Sequence, residues 1–282
     1  MDNQFNTPSQ IIEANINGAV GKANFPLVKM ILLGIMAGAF IALGGATSST
    51  AVHSIADVGL ARTLAGAIFP VGLMMIVFVG GELFTGNCLI TMAVLDKKVT
   101  VMKMVRNLVV VYFSNLVGAL IVDFLIFYSG NLDYTGGLLG AYTIKVAIAK
   151  ANITPVKAVT SGILCNILVC MAILMAGAAK DIAGKVWAIF FPIWAFVVGG
   201  FEHCVANMFY IPAGMIAATN PDYVAKAEEV YGITVAQCEN LTVLHSLNNF
   251  IPVTIGNIIG GAVCVGVMYF LIHKKDWNKK AA

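Results

Sequence analysis

Six long apolar stretches, at about 27–46, 61–81, 105–128, 156–179, 186–219 and 246–272, leave this chain little choice but to fold across a lipid bilayer. Roughly 20 apolar residues match the hydrocarbon thickness, so the 282 residues accommodate about six spans with short connections. Charged residues make up only 11% of the chain, against about 25% in soluble domains, and mean hydropathy is +0.88. Lipid offers no partner to backbone N–H and C=O groups, so an all-α integral membrane protein with six transmembrane helices is expected.

Two of the six stretches are interrupted by residues that do not belong in lipid. The second contains Gly80-Gly81-Glu82-Leu83-Phe84-Thr85-Gly86-Asn87, and the fifth contains Gly199-Gly200-Phe201-Glu202-His203-Cys204-Val205-Ala206-Asn207. Both bring glycines, a carboxylate and hydrogen-bonding side chains into an apolar run, so both read as broken helices. Non-helical backbone at membrane depth is tolerated where it is buried in protein or lines a cavity. Glycine-interrupted segments at matching places in two halves point to a transport site.

The halves correspond further. Lys29, Gly34, Ile35 and Gly38 match Lys157, Gly162, Ile163 and Asn166, 128 residues on. Gly80, Gly81 and Asn87 match Gly199, Gly200 and Asn207, and Asn115, Gly118 and Ala119 match Asn257, Gly260 and Gly261. Three spans thus repeat in order. Because three is odd, the second copy enters from the opposite side, which makes a 3+3 inverted repeat with the second and fifth helices facing one another.

Even span number puts both termini on one side. Of 17 lysines and arginines, 12 group with the termini and 5 (Arg62, Lys145, Lys150, Lys157 and Lys226) with the other side, so both termini are expected to be cytoplasmic. The loop at about 220–245 is the longest external one and is expected to form a short surface helix. In the first 24 residues, Ile11, Ile12, Ile16, Ala19 and Val20 share one helical face behind a cap at Thr7 or Ser9. This amphipathic helix lies either in the membrane interface or against the protein itself. It has no apolar signal core, so no cleaved signal peptide is expected. The six cysteines show no metal-site spacing, and neither a metal nor a cofactor is expected. The net charge of +3 points to no particular partner, and none is expected among nucleic acids.

His203 is the histidine that falls inside a predicted span, and an intramembrane ionisable group is a functional candidate by default. Neutral imidazole can donate a hydrogen bond to a small anion or pass it a proton; a purely packing role, bonded to a freed carbonyl, is the alternative. Glu82 and Glu202 would repel an anion if unpaired in its path, and are read as structural, binding backbone N–H groups freed by the breaks. Thr85 and Asn166 offer a hydroxyl and an amide to a polar solute. Asn87, Asn207, Asn115 and Asn257 recur at equivalent places and read as helix-binding residues. Half-helices starting after each break would turn their positive ends toward the cavity, which favours an anion. A lone histidine without a nucleophile–base pair argues against an enzyme.

Phe201-Glu202-His203-Cys204-Val205-Ala206-Asn207-Met208-Phe209 with Ile211-Pro212, Thr254-Ile255-Gly256-Asn257-Ile258-Ile259-Gly260-Gly261, and Gly81-Glu82-Leu83-Phe84-Thr85 together resemble the signatures of the formate/nitrite transporter family. The resemblance covers essentially the whole chain. It implies an aquaporin-like protomer assembled as a homopentamer in the cytoplasmic (inner) membrane, one pore per subunit. The implied cargo is a small monovalent anion of a weak acid, formate first, then hydrosulfide and nitrite, with a proton as partner. By match, His203 is the central pore histidine with Thr85 and Asn166 as polar partners. Leu83, Phe84 and Val169 match the cytoplasmic constriction, Phe69, Leu73 and Phe196 the periplasmic one, and Lys150 the outer vestibule. The expected layout is a cytoplasmic N-terminal segment over 1–25, one channel domain over 26–273 (repeats 26–128 and 156–272), and a tail over 274–282. A water or neutral-solute channel of the same architecture is the alternative function.

Overall fold

The computed structural model describes residues 5–274, so the expected tail lies outside the described residues except for Lys274. Six helical runs are long and apolar enough to cross a membrane. They are α2 (Leu27–Val52), α3 (Val58–Ile68) continued by α4 (Val71–Val79), α7 (Val101–Tyr128), α9 (Pro155–Ala178), α10 (Ile182–Gly199), and α14 (Val243–Ile258), which continues through a π-helical stretch, Ile259–Val267, into α15 (Met268–Lys274). The long fifth apolar stretch is two helices, α10 and α11 (Cys204–Ala217), with the chain non-helical between them. The second span likewise resumes after its glycines as α5 (Phe84–Asn87), a 3-10 turn and α6 (Thr91–Leu95).

Helix starts follow local chemistry. Side chains of Asp57, Thr100, Asp181 and Thr242 accept from the backbone N–H groups of Leu60, Lys103, Gly184 and His245, each meeting a donor that the first turn leaves unpaired. Within the bundle α2 lies along α7 and α9 along α14. These pairs approach closely enough that a Cβ on Gly118 would strike the Ile35 carbonyl, and one on Gly256 the Val159 carbonyl. Any side chain there would push the helices apart.

Of the two places open to the N-terminal helix, it takes the protein surface. α1 (Pro8–Ala23) starts at a capping box made by Thr7 and Gln10 and buries Ile12, Ile16, Ala19 and Ala23. Asn6 N–H donates to the Ala178 carbonyl at 2.9 Å, and Glu13 pairs with Lys98 at 3.1 Å and Lys274 at 2.6 Å. Because α1 pairs with the end of α15, both ends of the described chain lie on one face, here the terminal face. The opposite loop face carries α8 (Leu138–Ala151), α12 (Pro221–Tyr231) and α13 (Val235–Glu239), so the long connection holds two short helices. Tyr223 fastens it by donating to Asp133 at 2.5 Å.

Candidate functional site

Each helix break begins at a glycine in a backbone conformation that other residues rarely take: φ is +101° at Gly80 and +67° at Gly200. The turn frees backbone donors and acceptors in the interior, and one buried asparagine at each break meets them. Asn115 accepts from Phe84 N–H at 3.0 Å and donates to the carbonyls of Gly34 and Glu82, both at 2.8 Å. Asn257 accepts from Cys204 N–H at 2.8 Å and donates to the carbonyls of Gly162 at 2.8 Å and Glu202 at 3.0 Å. An amide suits this task because it carries two donors and an acceptor, matching a break that orphans both kinds of group.

The carboxylates do something else than the sequence suggested. Glu82 accepts from Lys22 Nζ at 2.8 Å and from Asn87 Nδ2 at 2.7 Å, and Asn87 also donates to Asn107 Oδ1 at 2.8 Å. Glu202 accepts from Lys150 Nζ at 2.9 Å and from Asn207 Nδ2 at 2.7 Å, and Asn207 also donates to Asn249 Oδ1 at 2.7 Å. Asn107 and Asn249 close the two circuits by donating to the backbone carbonyls of Lys22 and Lys150. An acceptor-only carboxylate cannot serve the freed carbonyls, and buried without a cation it would carry a heavy desolvation cost. Lys150 is therefore an ion-paired group; its ammonium also stands 5.2 Å from the Tyr210 ring centroid. Sequence reading passed over Lys22, Asn107 and Asn249 as site residues. The signal was present: Lys22 and Lys150 are 128 residues apart, as are Lys29 and Lys157, and Asn107 and Asn249 are 142 apart, as are Asn115 and Asn257.

Between the two circuits lies one polar pair in apolar surroundings. His203 caps α11 with its own ring, Nδ1 accepting from Ala206 N–H at 3.0 Å. In a neutral imidazole that places the ring proton on Nε2, which stands 2.9 Å from Thr85 Oγ1. Thr85 thus accepts from the histidine and retains its own hydroxyl hydrogen to donate. Asn166 holds Thr85 from behind, donating to the Thr85 carbonyl at 3.2 Å and the Asn257 carbonyl at 2.6 Å, so both its hydrogens are engaged by backbone. The first-turn amides of Cys204 and Ala206 are taken up by Asn257 and His203, which removes them as partners for an anion at this helix end.

Apolar groups close in on both sides of the pair. The Phe196 ring stacks on the imidazole at 6.0 Å and meets Phe69 edge-on at 5.5 Å. Phe84 lies edge-on to Tyr112 at 4.9 Å, and Leu83 and Val169 are buried in the same core. A cavity of about 620 Å³ opens on the terminal face, lined by Lys22, Lys29 and Asn87 together with Leu83 and Leu73. Leu73, grouped from sequence with Phe69 and Phe196, therefore also reaches the cavity that Leu83 lines.

A family model described as "Formate/nitrite transporter" matches residues 9–271. The "Probable formate transporter" of Methanothermobacter thermautotrophicus is 38% identical over 98% of this chain and 100% of its own length. The "Formate channel FocA" of Haemophilus influenzae is 38% identical over 95% of each chain. Among solved structures, the "Pentameric formate channel with formate bound" superposes with a TM-score of 0.77 at 35% identity, covering 88% of this chain and 98% of that one.

Proposed function

This chain belongs to the formate/nitrite transporter family, and from that premise we propose that it is a membrane channel for small monovalent anions of weak acids. Formate is its foremost cargo, with hydrosulfide and nitrite accepted through the same path. It works as a homopentamer with one pore in each subunit, in the cytoplasmic membrane, with the terminal face inward. The formate channels among its relatives and the pentameric structural neighbour support cargo and assembly.

The observation that carries the reading is the Thr85–His203 pair, a donor set at 2.9 Å enclosed by apolar side chains. A bare anion loses its hydration in such a slit at large cost, whereas the neutral acid does not. The lysines of the two circuits, Lys22 and Lys150, each paired with its carboxylate, mark the two mouths of that path. At the centre the Thr85 hydroxyl donates to the anion. A proton taken up at Nδ1, with release of Ala206 N–H, makes the ring a donor at both nitrogens. Nε2 then gives its proton to Thr85 Oγ1 as the Thr85 hydroxyl gives its own to the anion. The ring is left neutral with its proton on Nδ1, and the acid moves on uncharged.

An inverted repeat suits this path, and the matched circuits support it. Tyr112 and Thr254, also 142 residues apart, bond each other at 3.0 Å, which equivalent residues do where they meet on a symmetry axis.

Formate and hydrosulfide flux into liposomes, followed across pH, tests the reading. Uptake is expected to rise as pH falls, and His203→Phe is expected to flatten that rise. Undiminished pH dependence in the variant removes His203 from the proton step. Fast water flow without anion flux in the parent protein overturns the channel assignment itself.

A further inference from the structure

The two breaks are wired alike but differ in the charge that meets the turning glycine. Around Gly80 the space a Cβ would take is open, with nothing within 4 Å. At Gly200 that space is filled by the guanidinium of Arg62, which reaches over from α3 and donates from Nη1 to the Val198 carbonyl at 3.4 Å. A guanidinium carries five N–H donors in a rigid planar fork, and one long bond leaves most of them unused. Among the described residues Arg62 has no carboxylate at ion-pair distance, whereas Lys150 at the same mouth is committed to Glu202 at 2.9 Å. Arg62 on Val198 and Gly200 and Lys150 on Glu202 thus bring two cations to one short stretch of chain, and Gly200 stands three residues ahead of His203.

A cation near the last carbonyls of α10 is favourable for the helix in its own right, and any positive side chain would serve there. What distinguishes arginine is the fork, which matches a carboxylate with two parallel bonds. We propose that Arg62 is the capture residue of the loop-side mouth, binding planar two-oxygen monoanions such as carboxylate or nitrite bidentately and favouring them over hydrosulfide. Hydrosulfide has a single acceptor atom and gains from the charge but not from the fork. The proposal rests on the anion-channel reading above.

The test uses the full-length protein in vesicles, with initial uptake of formate and of hydrosulfide measured from the loop face over a concentration series. Arg62→Lys keeps the charge and is expected to raise the KM for formate several-fold while leaving that for hydrosulfide unchanged. Arg62→Gln is expected to raise both, and its effect is expected to shrink at about 0.5 M salt, where surface charges are screened within a few ångströms. Maximal rates should stay at the parent level in both variants. A parent-like formate KM in Arg62→Lys, or equal shifts for both anions, overturns the proposal. So does a lowered melting temperature with unchanged KM values, which is what a helix-capping role alone would give. Parent protein that carries neither anion overturns the channel reading itself, a result separable from these.

Discussion

Single residues at the breaks carry a structural load out of proportion to their size. Asn257 satisfies Cys204 N–H and two carbonyls, and Asn115 does the same for Phe84 N–H and its own two. Replacing either with alanine strands three buried backbone groups, each costing about 1–3 kcal/mol. Asn115→Ala and Asn257→Ala are each expected to lose about 3 kcal/mol or more of stability. Unfolding curves in mild detergent check this, and near-parent stability in either would mean that another group takes over. These asparagines were legible in the sequence because an amide stands out in an apolar run. Lys22, Asn107 and Asn249 were not, because each sits near a span end among other polar residues, where a solvated side chain is the ordinary expectation. His203 and Thr85 were visible as types, but 118 residues separate them, and only the fold sets them 2.9 Å apart.

At the scale of elements, the two halves differ where one side chain differs. Asn166 takes the Asn257 carbonyl at 2.6 Å, and the chain beyond runs as a π-helix over Ile259–Val267. The matching position to Asn166 is Gly38, which has no side chain to insert, and α7 continues past Asn115 as unbroken α-helix. A side chain entering the hydrogen-bond ladder is an established cause of such a local change in winding. The N-terminal helix shows a second case of tertiary choice. Its apolar face told that α1 is amphipathic, but not which apolar surface it covers. On the terminal face it is held by Glu13, whose carboxyl is kept below its usual value first by Lys274 and then by Lys98. Lys98 is raised in turn, first by Asp96 and then by Glu13. A lowered carboxyl stabilises the folded form above its unfolded value of 4.5, and that contribution is lost as pH falls through the lowered value. The raised lysine contributes below 10.5 and loses its effect only as pH rises through its raised value. Hydrogen exchange in α1, corrected for intrinsic rates, is therefore expected to be flat near neutrality and to quicken in acid below pH 4.5. Glu13→Gln should show the quickened exchange at neutral pH as well; exchange indifferent to both would release α1 from this clamp.

The molecule as a whole presents apolar surface on its flanks. Along α7, Val109, Phe113, Val117, Ile121 and Phe124 form an exposed stripe, which suits lipid or a neighbouring subunit and not water. Native mass spectrometry in mild detergent is expected to give five copies of the 29.8 kDa chain, and a stable monomer under those conditions would remove the pentamer from the proposed function. The six membrane-crossing runs were determined by sequence alone, since length and hydropathy are properties of the chain itself. A helical membrane fold follows from them because lipid leaves the backbone no other partner. Which groups meet inside was decided by tertiary structure. The carboxylates went to lysines instead of backbone, and the asparagines to both kinds of orphaned group. The tautomer of His203 was fixed by the amide of Ala206, and Arg62 came to lie on Gly200. The His203 cap is local, but the others are contacts between residues distant in the chain, where charge and hydrogen-bond capacity must balance in a buried site. Residue type states what a group can offer, and only the packed fold decides what it is offered to.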